Sequence, residues 1–258
     1  MNQTEYKVSA RQIKFFNENG YLLIEDIITP DEVQIYSDIY DSFLNGSIST
    51  GKNRGDLGAG LGNAEKGEAI TQIMWPSDFM PQLHHMSYHT RVLSLSRDLL
   101  GDDIEFDFDM LISKAPETYT PTPWHQDAAY WINMPDTRAV SCWMALDYAT
   151  KDNGCMWYVP GSHKLPLRPH RFAGKAGGAL MCECTEEEGV AIEIKPGSCI
   201  FHHGHTLHYS RGNSTKVNRR ALILNFRPGK MIALEREQGH DHGRSNASDR
   251  QIRNEEIK

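Results

Sequence analysis

From residue 104 onward, hydrophobic side chains recur at every second position of this chain, and that period restricts its fold more than any other feature. In residues 104–112 the even-numbered positions are apolar and the odd-numbered positions are acidic, except for Leu111. This alternation is typical of a half-buried β-strand. Further strand-like runs are short, and Gly, Pro and Asn turn signals separate several of them. They cover residues 138–147, 155–159, 189–195, 198–203 and 219–227.

The first hundred residues carry helix signals instead. Ser9 predicts the N-cap of a short helix that ends at Gly20. Thr29 begins a second helix, because Pro30 suits the first helical position and the glutamate three residues after Thr29 completes a capping box. A third helix is expected over residues 82–100. Helices followed by many short strands predict a mainly β fold, an antiparallel barrel or sandwich with helices packed against it.

A chain of 258 residues with this composition suits one large domain that buries a substantial core. We predict a single domain over residues 1–233. Residues 45–68 are rich in Gly, Ser, Asn and Lys and lack periodicity, so they are expected to form a mobile loop or lid. Residues 234–258 are almost wholly polar and predict a solvated tail, although His240 and His242 also suit a metal.

Charge and composition exclude several kinds of partner. The net charge of −7 argues against a nucleic acid or an anionic membrane, and no apolar run approaches the roughly 20 residues that span a bilayer. The N-terminus shows no secretory signal pattern, so a cytoplasmic protein is expected. The five cysteines match no zinc-binding spacing, and reduced thiols fit the same compartment.

His125 and Asp127, which follow a Pro-rich turn, are the first candidates for a chemical site. In an extended backbone, residues two apart point to the same face. An imidazole and a carboxylate on one face supply two of the three ligands of a 2-His-1-carboxylate triad, which binds iron(II) and leaves open positions. The alternative is a surface histidine beside a solvated aspartate, because a His-x-Asp pair arises often by chance.

A third ligand is available at the end of the predicted strand 198–203. Four histidines occur there within seven residues: His202, His203, His205 and His208. The triad needs at most one of them. Downstream, Arg219 begins the next apolar strand, and an arginine at a barrel mouth can bind a carboxylate through two parallel hydrogen bonds. The alternative for Arg219 is an ordinary surface charge at a strand edge.

Several stretches of the chain together resemble the phytanoyl-CoA dioxygenase family of iron(II)- and 2-oxoglutarate-dependent oxygenases. Each stretch is loose by itself, but their common order and spacing over roughly residues 11–228 are specific. They comprise Phe15-Phe16-x-x-x-Gly20-Tyr21-Leu22, Trp124-His125-Gln126-Asp127, Asn153-Gly154-Cys155 through Pro160-Gly161-Ser162-His163, and His208-x-Ser210-x-x-Asn213 followed by Arg219.

The resemblance implies a ligand set and a co-substrate site. The family pattern places its distal histidine two residues before a serine and eleven before an arginine, which selects His208. Iron(II) would then be held by His125, Asp127 and His208. By the same resemblance, Ser210 and Arg219 would bind the far carboxylate of 2-oxoglutarate.

The resemblance also implies further contacts and a fold. Met110 and Trp143 match positions that pack against the co-substrate, and plain strand core is the alternative for both. Gln72 falls near a position with a polar or basic contact to the co-substrate. His203 falls on a second histidine that is not taken as a ligand. The implied fold is a double-stranded β-helix, a cupin-like jelly-roll with helices packed on one sheet.

The reaction implied by the family uses dioxygen and 2-oxoglutarate, yields succinate and carbon dioxide, and oxidises a substrate carbon. Related halogenases replace the carboxylate ligand by a small residue, so the presence of Asp127 favours hydroxylation. We expect a small free metabolite as the substrate. The alternative is an acyl-CoA, whose phosphates would need a basic patch such as Lys164, Arg168, His170 and Arg171.

Two other classes of protein fit the ligands alone. One is a non-catalytic, cupin-like protein with a structural metal, and the other is a zinc hydrolase, since zinc sites also use two histidines and one carboxylate. Ser210 and Arg219 favour the oxygenase, because a hydrolase does not need to bind a 2-oxo acid.

Overall fold

The computed structural model describes residues 6–59, 61, 67–173 and 179–245, in which helices precede and cover a two-sheet β core. Ser9 and Thr29 cap the first two helices through capping boxes with Gln12 and Glu32, and the box predicted at Thr29 is confirmed. Gly20 ends the first helix with a φ of 80°, a conformation that favours glycine. The helices in this part of the chain are α1 (Ala10–Asn19), α2 (Pro30–Leu44), α3 (Pro76–Phe79), α4 (Ser87–Leu100) and α5 (Gly229–Glu237).

The strands of the described residues form two main antiparallel sheets and one short pair. They are β1 (Tyr21–Ile24), β2 (Arg54–Asp56), β3 (Ile70–Met74), β4 (Ile104–Lys114), β5 (Thr122–His125), β6 (Val140–Ala145), β7 (Met156–Tyr158), β8 (Arg171–Phe172), β9 (Leu180–Met181), β10 (Val190–Ile192), β11 (Cys199–His203), β12 (His208–Ser210) and β13 (Arg219–Pro228). The larger sheet has the order β1-β11-β6-β13-β4-β3-β2, the smaller one β10-β7-β12-β5, and β8 pairs with β9. This architecture confirms the predicted mainly β fold.

Alternation along β13 divides the molecule into two cores. Leu222 and Leu224 pack with the helices on the outer face of the larger sheet. Ala221 and Ile223 pack in a second core between the two sheets. Because side chains of a strand point alternately to opposite faces, Arg219 shares the inner face with Ala221 and Ile223. The interior between the sheets is where the candidate site lies.

The alternation in β4 predicts a half-buried strand, but helices cover its second face and most of its residues are buried or partly buried. Leu111 belongs to the core under the helices, which explains the break in the pattern. Asp109 is 0% exposed and accepts hydrogen bonds from the backbone N–H and the hydroxyl of Ser77, at 3.1 and 3.0 Å. Asp107 is buried against Arg227. Asp107 and Asp109 are therefore paired inside the protein rather than solvated, whereas Glu105 is exposed.

Part of the predicted loop 45–68 has regular structure. A 3₁₀ turn at Gly51–Asn53 leads into β2, which pairs with β3 at the edge of the larger sheet. Leu57 then reaches the interior cavity described below. Residues 60 and 62–66 lie outside the described part, and the predicted lid movement stays a prediction.

Residues 234–245 differ from the predicted solvated tail. Helix α5 extends to Glu237, and Glu235 is only 1% exposed. Beyond the helix, the ring of His242 stacks on Phe108 with 3.9 Å between the ring centroids. The tail residues 246–258 lie outside the described part. The last described residues therefore close one end of the space between the sheets, and the polar composition reflects buried ion pairs.

The five cysteines all lie in the described part and are free thiols, as the sequence predicts. Among the described residues, no helix is both long enough and apolar enough to cross a membrane.

Candidate metal and co-substrate site

Two neighbouring strands of the smaller sheet carry the candidate ligands. His125 ends β5 and lies opposite His208 at the start of β12, with 4.1 Å between the ring centroids. Asp127 opens a 3₁₀ turn directly after β5. Its Oδ1 lies 3.7 Å from Nε2 of His125 and 3.4 Å from Nε2 of His208. Three donor atoms thus converge on one point.

Backbone carbonyls fix the tautomer of both rings. Nδ1 of His125 lies 2.7 Å from the carbonyl oxygen of Pro123, and Nδ1 of His208 lies 2.9 Å from that of Thr206. Since a carbonyl oxygen only accepts, each Nδ1 carries the hydrogen and each Nε2 presents its lone pair. Metal-binding imidazoles are usually oriented in this way.

Burial and neighbouring charge shift the pKa of all three groups. Burial opposes ionisation of Asp127, but His208 and His202 outweigh it and hold the pKa of the carboxyl well below its usual range. Burial, reinforced by the charge of His208, lowers the pKa of His125 to about 3. Burial also acts to lower the pKa of His208, but Asp127 outweighs it and raises that pKa above the usual value. Near neutral pH the group thus includes a carboxylate and a neutral imidazole, the forms that bind metals.

Arg219 lies on the same interior space, at the start of β13. Its side chain is 1% exposed, and its guanidinium carbon lies 5.1 Å from the ring centroid of Trp143. Within the described residues, nothing accepts a hydrogen bond from Nε or Nη1. Burial lowers the pKa of the guanidinium to about 10, which leaves it charged at neutral pH. Because a buried cation without an anion is costly, this position fits a carboxylate of a bound ligand.

A second buried cation holds the backbone next to Arg219. Nζ of Lys114 donates to the carbonyl oxygens of Thr120, Ser210 and Arg211 at 3.2, 3.2 and 2.6 Å. The ammonium group is thereby satisfied by the protein itself. Lys114 fixes the end of β12, and with it the position of the Ser210 side chain.

One cavity of about 150 Å³ joins these groups, and all eight residues predicted from the sequence line it. Met110 and Trp143 face it from the larger sheet. Gln72 faces it from β3, with its Nε2 3.4 Å from the sulfur of Met110. The remaining lining is mostly apolar and includes Leu57, Met74, Phe108, Trp131, Leu180 and Ile223. The cavity is thus polar around the three ligands and at Arg219, and apolar over much of its wall.

Three polar residues surround Asp127, of which the sequence offered only His202, as one of four candidate ligands, and missed Ser141 and Asn225. Ser141 and His202 contact its Oδ2 at 2.8 and 3.1 Å, and Asn225 contacts Ser141 at 2.6 Å. The available signal for Ser141 and Asn225 was a polar residue on the inner face of an otherwise apolar strand. The spacing pattern places His203 at the second family histidine, but it is His202 that reaches the site.

A second group of possible metal ligands lies at the outer end of the cavity, where arginines fill it. Donor atoms of Asp107, Glu235 and His242 lie within 4.8 Å of one another. Nε of Arg227 donates to Asp107 at 2.6 Å, and Nη1 of Arg236 donates to Glu235 at 3.0 Å. Each arginine also contacts the other carboxylate. Two guanidinium groups on two carboxylates make this a buried ion network, in which arginines neutralise the carboxylates.

The fold and the donor groups together define a class of enzyme. Two imidazoles and one carboxylate converge within a jelly-roll, and the buried Arg219, whose Nε and Nη1 have no acceptor among the described residues, faces the same cavity. This donor set fits iron(II), and the arginine fits the second carboxylate of 2-oxoglutarate. The class is that of the iron(II)- and 2-oxoglutarate-dependent dioxygenases.

Comparison with known proteins agrees with this class. The family model "Phytanoyl-CoA dioxygenase (PhyH)" matches residues 16–221. A probable phytanoyl-CoA dioxygenase of Caenorhabditis elegans is 28% identical over 235 residues, covering 85% of this chain and 75% of that protein. EvdO2 from Micromonospora carbonacea var. aurantiaca, solved in complex with 2-oxoglutarate, has a TM-score of 0.69 and 26% identity over 85% of this chain and 90% of that one.

A third relative extends the comparison. EctD from S. alaskensis, solved with 2-oxoglutarate and 5-hydroxyectoine, has a TM-score of 0.67 and 25% identity over 90% of this chain and 79% of that one. The chain belongs to the phytanoyl-CoA dioxygenase (PhyH) family. The family match and the solved relatives confirm the predicted oxygenase, its jelly-roll fold and its use of iron, 2-oxoglutarate and dioxygen.

Proposed function

We propose that this dioxygenase binds iron(II) through His125, Asp127 and His208 and hydroxylates a carbon atom of a small free metabolite. The bound metal and 2-oxoglutarate supply the oxidising chemistry, with succinate and carbon dioxide as co-products. The chain itself orients the three ligands, binds the co-substrate and excludes water from the cavity. The observation that carries the proposal is the buried Arg219, whose Nε and Nη1 have no acceptor among the described residues and which shares a cavity with the three candidate ligands.

Different residues of the cavity orient the candidate ligands and bind the co-substrate. The carbonyls of Pro123 and Thr206 keep the Nε2 lone pairs of both imidazoles directed at the same point as Asp127. Arg219 and Ser210 bind the far carboxylate of 2-oxoglutarate. Trp143, Met110 and Gln72 complete its pocket. A fixed orientation of both reactants is worth several kcal/mol of the barrier, roughly 7–11 in the best cases.

An anaerobic titration tests this function. Wild-type protein with iron(II) and 2-oxoglutarate is expected to develop a visible charge-transfer band. The band requires 2-oxoglutarate to be bound to iron(II) in one site. His208→Ala is the matched control and is expected to lack the band. A wild-type protein without the band contradicts the proposed site.

The charge distribution favours a small free substrate over an acyl-CoA. Two arginines of the basic patch that could bind CoA phosphates pair with glutamates instead, Arg168 with Glu188 at 2.5 Å and Arg171 with Glu183 at 3.0 Å. His170 is buried and its Nε2 accepts from the backbone N–H of Gln126. Among the described residues of the patch, Lys164 alone has no such partner in the fold.

A substrate screen separates the two alternatives. The holoenzyme is incubated with a library of small metabolites and, in parallel, with branched and straight acyl-CoA thioesters, and succinate formation is measured above the background without substrate. Stimulation by free metabolites supports the proposal. Stimulation confined to acyl-CoA thioesters contradicts it and assigns the enzyme to acyl-CoA hydroxylation instead.

We also propose that the protein acts in the cytoplasm and without a nucleic-acid partner. The net charge of −7 and the five free thiols support this. Localisation of a tagged full-length chain tests it, and a signal confined to an organelle or a membrane contradicts it.

A further inference from the structure

We propose that Ser141, His202 and Asn225 are positioning residues for Asp127, which hold its outer carboxylate oxygen so that a single oxygen faces the two imidazoles. The inference rests on the proposed role of Asp127 as a metal ligand. It assigns a function to three polar residues that line the cavity on the side opposite the ligand strands.

The two oxygens of Asp127 have different surroundings. Oδ1 faces the Nε2 atoms of His208 and His125 at 3.4 and 3.7 Å. Oδ2 is contacted by Oγ of Ser141 at 2.8 Å and by Nε2 of His202 at 3.1 Å. Two hydrogen bonds on Oδ2 prevent the carboxylate from turning about its Cβ–Cγ bond. Oδ1 therefore remains the oxygen that a metal meets.

The three positioning residues form one row across the larger sheet. Ser141 on β6 is the register partner of His202 on β11 and also of Asn225 on β13. Three adjacent strands thus present three polar side chains side by side on the inner face, where apolar residues otherwise pack. All three are buried, at 1%, 3% and 2% exposure. A buried polar row of this kind is costly unless every member is hydrogen-bonded.

The number of hydrogens on each group determines which side chain of the row donates and which accepts. The hydroxyl of Ser141 has one hydrogen, and the carboxylate of Asp127 can only accept it. In the structure the Oδ1 of Asn225 lies 2.6 Å from Oγ of Ser141. Because the one hydrogen of Ser141 is directed at Asp127, we assign this amide in the turned orientation, with its NH₂ group donating to Oγ of Ser141. The alternative amide contact, to the carbonyl of Phe108, is 3.5 Å long and loses little if the amide is turned. The chain of donors thus runs from Asn225 through Ser141 to Asp127.

His202 completes the row from the other side. Its Nε2 faces a carboxylate and therefore carries the hydrogen, which leaves Nδ1 as an acceptor. The hydroxyl of Tyr158 lies 3.4 Å from that Nδ1 and is suited to donate to it. This engagement explains why His202 contacts the triad without joining it, since its donor nitrogen is directed at Oδ2.

Manganese(II) binding to the full chain tests the inference without relying on turnover. Dissociation constants are measured by electron paramagnetic resonance for wild type, Ser141→Ala, Ser141→Thr and Asn225→Ala. Loss of an outer hydrogen bond to a metal ligand typically weakens affinity about 10–100-fold. We expect a loss in this range for Ser141→Ala, a smaller one for Asn225→Ala, and recovery in Ser141→Thr, which keeps the hydroxyl. The Mn(II) spectrum of Ser141→Ala is also expected to change.

The controls separate positioning from folding and from the proposed function. Ser96→Ala removes another buried hydroxyl, 0% exposed and away from the cavity, and is expected to bind Mn(II) as wild type does. If Ser141→Ala does not fold, Asn225→Ala carries the test. Wild-type affinity and spectrum in both variants overturn the inference. A wild-type chain that binds no Mn(II), like His208→Ala, overturns the proposed metal site itself.

Discussion

At the scale of single residues, two histidines five positions apart, His203 and His208, differ sharply in their surroundings. His208 has its Nδ1 fixed by a backbone carbonyl and its Nε2 directed at Asp127. His203 faces away, with its ring 5.5 Å from those of His163 and His205 and its Nδ1 accepting from a backbone N–H. Only His208 is therefore placed to bind the metal.

Alanine substitutions distinguish these two histidines. His208→Ala is expected to lose measurable Mn(II) binding in isothermal titration calorimetry, because two ligands remain out of three. His203→Ala is the matched control and is expected to keep wild-type affinity within about threefold, a difference below ~1 kcal/mol. Loss of binding in His203→Ala with retention in His208→Ala contradicts the assignment.

Arg219 supports a second prediction, which concerns the co-substrate. Arg219→Ala is expected to weaken 2-oxoglutarate binding to the Mn(II) protein by about 30-fold or more, since removing one partner of a buried charge pair costs about 2–5 kcal/mol. Metal affinity should change far less. Arg220→Ala is the matched control, because Arg220 points to the other face and pairs with Asp147 and Asp41. Equal losses of metal and co-substrate affinity in Arg219→Ala contradict the role.

The pH dependence of metal binding follows from the three ligand pKa values. The pKa of His208 is raised by Asp127, whereas the pKa of His125 is about 3 and that of Asp127 is held low. As the pH falls, a proton therefore competes with the metal first at His208. Mn(II) affinity should be constant above the pKa of His208 and fall about tenfold per pH unit below it.

The raised pKa of His208 also determines how the stability of the metal-free protein changes with pH. The raised pKa of His208 contributes stability below its unfolded value, and this contribution is lost as the pH rises through the folded value. At pH 6 His208 is protonated and must lose its proton to bind a metal. Calorimetry in two buffers of different ionisation enthalpy should show about one proton released per Mn(II) at this pH. Release of two protons, or an affinity that does not change between pH 8 and pH 5, contradicts the assignment to His208 alone.

At the scale of elements, most of the secondary structure could be predicted, because period and turn signals are local. The strands predicted at 104–112 and 219–227 appear as β4 and β13. Helix α5 was missed, since its packing depends on partners distant in sequence. Glu235 is buried because Arg227 and Asp107 complete its ion network, and Asp107 lies 128 positions earlier in the chain. Its polar composition alone predicts that such a segment is solvated.

The ion network that fastens α5 is expected to contribute strongly to stability. Glu235→Ala leaves the guanidinium groups of Arg227 and Arg236 with one carboxylate fewer in a buried position. Breaking a buried pair typically costs about 3–5 kcal/mol. Urea denaturation followed by circular dichroism measures the change. Glu237→Ala on the exposed side of the same helix should stay within about 0.5 kcal/mol, and an equal effect of both substitutions contradicts the network's role.

The candidate site could be predicted to a similar depth and no further. The resemblance in motif order names His125, Asp127, His208 and Arg219 as candidates, and these four residues line one cavity. The partners of Asp127 could not be selected, because Ser141 and Asn225 meet it only through the register of three strands. Choosing His202 rather than His203 likewise depends on which face of β11 turns inward.

At the scale of the whole molecule, the two sheets are joined at the site by side chains rather than by backbone. The candidate ligands His125 and His208 lie on the smaller sheet, with Asp127 in the turn after β5, and Arg219 with the row that contacts Asp127 lies on the larger sheet. A metal and 2-oxoglutarate bound between them would connect both sheets in the folded chain alone. Binding should therefore stabilise the protein as a unit, since a ligand that binds only the folded state shifts unfolding by mass action.

Thermal unfolding measures this coupling with two ligands added in sequence. Mn(II) at 100 times its dissociation constant adds about 2.7 kcal/mol, which for a chain of this size raises Tm by roughly 5–10 °C. Adding 2-oxoglutarate should raise Tm further, because its two ends contact both sheets. Arg219→Ala should keep the Mn(II) increment and lose most of the second one, while His208→Ala should lose both. A second increment that survives in Arg219→Ala places the far carboxylate of 2-oxoglutarate elsewhere.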